Sequence, residues 1–478
     1  MKRIWFFSAI IILTGIIIIN GCSRKLAAPT IPAEKNTAAA TNTPTQTQQS
    51  PVFTYTKTPA ATATATYTLT NIQTATAQNT GTSTNTPVPP GSTCTSTTTI
   101  SPTTRILMTC TSQDTATATN TPPPPGSTDT VTPTITVTVP VFFAAKISGG
   151  FYHSLALKSD GTLWATGYNG TGELGQGNTI NSCVFVQELS GVSACVAGYH
   201  HSSALKNDGT LWITGGIDAC GDVIYHSFTQ LLTGVSAISG KGTFTLALKN
   251  DGTLWGIGDG EEGQLGLGVV NIDSFEQVSD MTGVIAIASG GSHSFAIKSD
   301  GTLWATGLNE CGELGIGNTI TSYTFTQVPG MTGGITAIAA GDLHSLVLMN
   351  DGTLWATGNN QSGQLGTGDL ITRTTFVQVM TGVIAMDGGE YQTIALKSDG
   401  TLWGVGMNYD GELGTGDTNN RSTFVQVLSG VSAIAEGEFH SLAIKNDGSL
   451  WATGFNGDGG LGTADNNNRY TWTQIGQY

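Results

Sequence analysis

The sequence predicts an all-β fold, a seven-bladed β-propeller of four-stranded blades behind a long non-globular lead. Three observations predict it. The phrase Asp160-Gly-Thr-Leu-Trp164-Ala-Thr-Gly167 returns with small changes, placing tryptophans at Trp164, Trp212, Trp255, Trp304, Trp355, Trp403 and Trp451. Their spacings of 48, 43, 49, 51, 48 and 48 residues are the period of strand-rich blades. Seven such units of about 48 residues fill the 334 residues from 145 to 478. Finally, 15 of 16 prolines lie at or before Pro140, whereas 59 of 64 glycines follow residue 144. Segments so different in turn chemistry do not share one globule.

The lead begins as an export signal over residues 1–21. Lys2 and Arg3 precede an apolar run from Ile4 to Ile19, shorter than the roughly 20 residues a spanning helix needs. Ile19-Asn20-Gly21-Cys22 resembles the bacterial lipoprotein box, which implies acylation of Cys22 and cleavage before it. Several acyl chains on one residue anchor stably where a single chain is marginal. The expectation is an exported protein, lipid-anchored at the bacterial outer membrane or cell surface. Residues 22–140 then form a stalk. Its stretch from Leu26 to Pro140 holds 39 threonines and repeats Asn85-Thr-Pro-Val-Pro-Pro-Gly-Ser-Thr93 as Asn120-Thr-Pro-Pro-Pro-Pro-Gly-Ser-Thr128. That composition buries too little apolar surface to offset the entropy of ordering, so disorder is expected. Cys94 and Cys110 inside it are either a disulfide or stray thiols.

From residue 141 to 478 each repeat reads as four short strands. In the last copy Val431–Ala435 comes first, and the strands Ser441–Lys445 and Ser449–Thr453 flank Asn446-Asp447-Gly448. The Asp-Gly pair supplies the positive φ of a tight hairpin. A glycine-rich turn and a strand like Thr423–Val427 complete the unit. Alternating apolar and polar residues are expected along the strands, and radial closure protects their edges.

The pattern Gly-x-x-His-Ser-x-Ala-Leu-x-x-Asp-Gly-x-Leu-Trp-x-x-Gly-x-Asn-x-x-Gly-x-Leu-Gly-x-Gly resembles the regulator of chromosome condensation repeat. The copy running from Gly290 and His293 through Asn309 to Gly312, Leu314, Gly315 and Gly317 shows it whole. The resemblance spans residues 141–478 and implies the propeller. Where that family has a second aromatic, this chain has Thr166, Thr214, Ile257, Thr306, Thr357, Val405 and Thr453, which alters blade packing. Taken literally, the resemblance implies guanine-nucleotide exchange on a small GTPase, but an exported domain does not meet one.

The chemistry the sequence offers is sparse. Histidines recur at one repeat position, His153, His201, His293, His344 and His440, with Phe244 and Gln392 in the other two copies. Replacement by Phe and Gln suits hydrogen-bonded packing better than a metal ring. The tryptophans read as structural repeat positions. Runs such as Gly363-Gln-Leu-Gly-Thr-Gly368 look like phosphate loops, yet no helix or Lys-Ser/Thr follows. Glu173, Glu313 and Glu412 beside them are expected to be solvated or turn-bonding. Asp417–Asn420 and Asp465–Asn468 lack full calcium-loop spacing. The second copy is irregular, running Gly215-Gly-Ile-Asp-Ala-Cys220, and Cys183, Cys195 and Cys220 gather near it. A Cys183–Cys220 disulfide stapling the first two blades is a candidate.

Charge narrows the partners. Residues 1–144 carry 7 Lys+Arg against 3 Asp+Glu, and residues 145–478 carry 11 against 30, a net −19. Phosphate backbones are bound by neutralising them with Lys and Arg, so nucleic acid is not the expected partner. No catalytic constellation, cofactor motif or metal cluster is legible. The expected function is a monomeric, membrane-tethered binding module that presents a rigid propeller face to a protein or glycan. The alternatives are an exchange-factor-like activity and a hydrolase or lyase using the central pocket.

Overall fold

The computed structural model describes residues 65–67, 135–137, 141–217 and 223–476. The signal segment, Cys22, most of the stalk and Cys220 lie outside the described residues. Within the stalk, Ala65–Tyr67 (β1) and Ile135–Val137 (β2) pair as a short antiparallel ribbon. Everything else described forms seven four-stranded antiparallel sheets, and among the described residues there is no helix.

Blade one shows the plan, with Lys146–Gly149 (β3), His153–Leu157 (β4), Leu163–Gly167 (β5) and Ser182–Leu189 (β6) in spatial order. Six further blades repeat it. Blade two spans Val192–Leu232, blade three Val235–Gln277, blade four Val284–Thr332, blade five Ile335–Met380, blade six Val383–Ser429 and blade seven Val431–Gln474. First strands of successive blades touch around a complete circle, since Val431–Glu436 of blade seven also contacts β3. Antiparallel order puts the turn between strands one and two and the loop between strands three and four on one face, here the loop face. The Asp-Gly hairpins between strands two and three occupy the other, the hairpin face.

Residues 141–144 latch the ring. Phe142 N donates to Ile475 O at 3.0 Å and Leu450 N donates to Phe142 O at 3.0 Å. The Phe142 ring is fully buried, stacked on Phe185 at 4.8 Å and edge-on to Trp164 at 5.6 Å, so one residue joins the last blade to the first.

The core is layered between blades. One cluster joins Phe295, Ile297 and Leu303 of blade four to Ala340 and Val347 of blade five. Inner strands are therefore covered on both faces. β4 is buried at all five positions, and the expected alternation is confined mainly to outer strands such as β6. The loop leucines Leu174, Leu265, Leu314, Leu365, Leu413 and Leu461 are all fully buried. Each repeated tryptophan is half-buried and donates its Nε1–H to a hydroxyl, as Trp164 does to Thr162 Oγ1 at 2.9 Å. In six copies a lysine ammonium covers its ring, 4.1 Å from the centroid for Lys158 over Trp164. Asp160 Oδ1 in turn accepts from Thr162 Oγ1 at 2.6 Å, fixing the hairpin tip.

Candidate functional site

The histidine column sits inside the blade interfaces. His153 Nε2 meets Ser202 Oγ of the next blade at 3.0 Å, His293 meets Ser345 at 2.8 Å, and His440 meets Ser154 at 2.8 Å, across the ring closure. His201 and His344 meet Thr245 and Thr393 in the same way, each at 2.8 Å. The serine hydroxyls donate onward to carbonyls, Ser202 to Glu173 O and Ser345 to Glu313 O, both at 2.7 Å. A hydroxyl has one proton, so in these pairs Nε2 must be the donor. Nδ1 of His153, His201, His293 and His344 is left without a partner. Burial pulls these imidazoles down, to about 3 for His153, His293 and His344 and about 4 for His201 and His440. Five neutral rings, each spent on a neighbouring blade, do not converge on one point. Among the described residues no group of three or more metal-ligating side chains is present.

The threonines that replace the family's second aromatic bridge the same interfaces. Thr357 Oγ1 donates to Gly312 O at 3.0 Å and Thr453 Oγ1 to Gly411 O at 2.8 Å. Glu173, Glu313 and Glu412 are fully buried rather than solvated, which corrects half of that expectation. Glu313 accepts the Cys311 N–H and Glu412 the Asp410 N–H, each at 2.9 Å, because the loop folds back beneath the next blade. Burial raises both carboxyls to about 7. Gln264 and Gln364 hold the equivalent place in blades three and five and accept the Glu262 and Ser362 N–H groups.

Asp417 and Asp465 are committed internally, to Arg421 and Arg469 at 2.7 Å each. Cys183 is buried and disulfide-bonded. Its proposed partner Cys220 lies outside the described residues, so that pairing stays a proposal.

What the structure gathers, and the repeat pattern hides, is a ring around the axis at the loop face. Two residues before the histidine position the blades carry Phe151, Tyr199, Gly242, Gly291, Asp342, Glu390 and Glu438. Blades one and two are aromatic, three and four bare, five to seven acidic. Phe151 packs edge-on against Tyr152, Tyr199 and Phe439, and Tyr152 reaches Tyr168 and Phe455 on the outer loops. Lys241 stands where the other blades have glycine, and its ammonium crosses the axis to Gly388 O. Tyr199 Oη crosses likewise to Asp342 Oδ1. Gly291 leaves the space for that bond, since a Cβ there would lie 1.7 Å from Asp342 Oδ1. Beneath lies an axial cavity of about 160 Å³, lined by Ser148, Lys241, Asp387 and Glu436 among others. The Glu436 backbone N–H donates to Asp387 Oδ2 at 2.8 Å. Burial drives the Glu436 and Glu438 carboxyls well above the usual range, and Glu390 to about 7.

Outside this mouth the loop face carries apolar tips. Ile180 on blade one, and Val269 and Val270, Ile320, and Leu370 and Ile371 on blades three to five, stand on the outer loops, 43 to 71% exposed. In blades four and five the loop is held from within by an asparagine, Asn309 or Asn360, whereas blade three has Gly260 at that place. Asn309 Nδ2 donates to Ile320 O at 3.1 Å while its Oδ1 accepts the Leu314 N–H at 3.0 Å.

Comparison with known proteins finds the RCC1-like domain model over residues 225–477 and the regulator of chromosome condensation (RCC1) repeat model over residues 144–173. The ultraviolet-B receptor UVR8 of Arabidopsis thaliana is 47% identical over 45 residues, which is 9% of this chain and 10% of the receptor. Human WBSCR16 superposes with a TM-score of 0.58 at 19% identity, over 66% of this chain and 93% of that one. Prp20p of Saccharomyces cerevisiae, described with its binding to Gsp1p and histones, gives 0.56 at 19% identity over 63% and 83%. These two likenesses concern the fold.

Proposed function

The chain belongs to the RCC1-like domain family, and on that premise we propose that it is an interaction module whose loop face docks a protein or glycan partner, displayed at the cell surface by a lipid on Cys22. The observation that carries this reading is the asymmetry of the two faces. The hairpin face repeats an Asp-capped turn beside a lysine-covered tryptophan, with charges balanced within most blades. The loop face sets exposed aliphatic tips on blades three to five around an aromatic and acidic centre. Rigid loops presenting apolar side chains beside unbalanced charge are what a binding surface needs. The axial cavity argues against a substrate pocket, because its volume is well below that of an ordinary ligand site and Lys241 already extends across it. Exchange activity rests on family likeness alone and has no residue of its own here.

Hydroxyl-radical footprinting tests the reading on intact cells against the purified full chain. Protection is expected at Val269, Ile320 and Leu370 on cells, with Ile285 and Ile384, exposed at the opposite end, reacting equally in both. Equal reactivity at all five positions would remove the docking claim. Replacement of Cys22 by Ser should abolish incorporation of labelled palmitate, and absence of label from the unaltered chain would remove the anchor.

A further inference from the structure

We propose that the axial mouth of the loop face is a cation-binding site in which a lysine or arginine side chain of a partner protein takes the place of the Tyr199–Asp342 bond and lies along the Asp342–Glu390–Glu438 arc beside Phe151. The inference rests on the docking role of the loop face and names what docks at its centre.

Four observations carry it. Carboxyl groups outnumber basic ones at the mouth, since Asp342, Asp387, Glu390, Glu436 and Glu438 surround a single lysine, Lys241. That lysine is already committed to Gly388 O. Of the carboxyls, Asp387 is hydrogen-bonded to the Gly388 and Glu436 N–H groups, Glu436 to Ser441 Oγ, and Asp342 to Tyr199 Oη. Glu438 differs. It is 1% exposed, its Oε2 has no hydrogen-bond partner, and its electrostatic neighbours are Lys241, Asp342, Glu390 and Asp387, with Tyr199 beside it. A buried carboxylate oxygen without a donor is costly, and a cation removes that cost. Lys241 further shows that an ammonium on an alkyl stem fits this axis. Finally, the half-buried rings of Phe151, Tyr152 and Phe439 offer apolar edges and faces to such a stem, a use that aromatic and guanidinium or ammonium groups share. A partner segment entering here would run out over the aliphatic tips of blades three to five.

Burial, with Asp342 and Glu412 nearby, raises the Glu390 carboxyl to about 7, and burial, with Asp342 and Glu390 nearby, drives Glu438 well above the usual carboxylate range. A bound cation stabilises their ionised forms, so binding at pH 7 releases protons.

The test is calorimetric titration of the full chain with a lysine-rich decapeptide and its arginine counterpart, in buffers of different ionisation enthalpy. A neutral chitin oligosaccharide is the comparison ligand. Expected are binding of a basic peptide with proton release, at least tenfold weaker binding in Glu438→Gln, and unchanged binding in Glu276→Gln, which removes an exposed outer-strand charge. Lys241→Met, which removes the resident cation, should strengthen binding several-fold, an outcome that simple destabilisation does not produce. Equal losses in the Glu438 and Glu276 variants would reduce the effect to net charge and overturn the proposal. So would binding without proton release, or binding of the neutral oligosaccharide alone. If footprints on cells persist at Ile320 while no basic peptide binds, this inference falls and the docking reading stands. If both fail, the docking reading falls with it.

Discussion

Ser345 does two jobs with one hydroxyl, accepting from His293 and donating to Glu313 O. Ser345→Ala strands both in a dry interface, and a loss of about 1–3 kcal/mol is expected in denaturant titration. Glu313→Gln should do the opposite. Its folded carboxyl titrates at about 7 against an ordinary 4.5, so its burial costs stability above pH 7 and costs nothing once protonated in both states. Gln364 already fills the equivalent place. A gain of about 1–3 kcal/mol at pH 8 that vanishes near pH 4 is expected, and no gain at pH 8 would contradict it. The histidines set the acid limit. Their folded values of about 3 to 4 lie below the ordinary 6.5, so unfolded chains bind more protons and stability falls as pH drops through that window. Between about 4.5 and 7 the raised carboxyls, Glu313, Glu390 and Glu412, oppose the loss. Below about 4.5 that opposition fades, and the hairpin aspartates, held low by their threonine donors, add to the loss. Unfolding should therefore steepen there, and changing His293 and His344 to Gln, the residue found at 392, should flatten the limb in a pH series of urea midpoints.

In blades one and four to seven the outer loop is an element organised by one asparagine and one buried leucine. Asn309→Ala removes the tie to Ile320 O and to the Leu314 N–H, and faster amide exchange across 314–322 is expected while the inner strands of the same blade keep their protection. Exchange spreading through the whole blade would show that the loop is not a separate unit. The sequence made these elements legible because their residues repeat in register. Trp164 and its six copies counted the blades, and Asp160-Gly161 marked the hairpins. It concealed the burial of Glu173, Glu313 and Glu412, because a carboxylate in a glycine-rich turn looks solvated until the next blade is set upon it. The axial ring was hidden for the opposite reason. Phe151, Tyr199, Gly242, Gly291, Asp342, Glu390 and Glu438 share a column but no chemistry, so a search for repetition passes over them. Reading variation down that column, two residues before each histidine, would have found the mouth. Sequence spacing also gave no sign that Lys241 and Tyr199 span the axis, since their partners lie 147 and 143 residues away.

At the level of the molecule, closure depends on the strap at 141–144. Phe142→Ala vacates a fully buried ring site between Phe185 and Trp164, and a loss of about 3–5 kcal/mol is expected, with early exchange at the junction of blades seven and one. The same closed ring fixes which surface is free to differ. Blade interfaces consume the histidines, the threonines and the loop leucines, leaving the Asp-Gly hairpins uniform and the outer loops variable. The net −19 of the propeller is thus not spread without consequence, for its least compensated part lies at the axis of the loop face. The central claim is that this face meets a partner. A photo-crosslinking residue placed at Ile320 on the loop face, and separately at Asn250 on the hairpin face, of the anchored full-length chain in living cells tests it most directly. Discrete adducts from position 320 and none from 250 are predicted; adducts from 250 alone, or from neither, would contradict it.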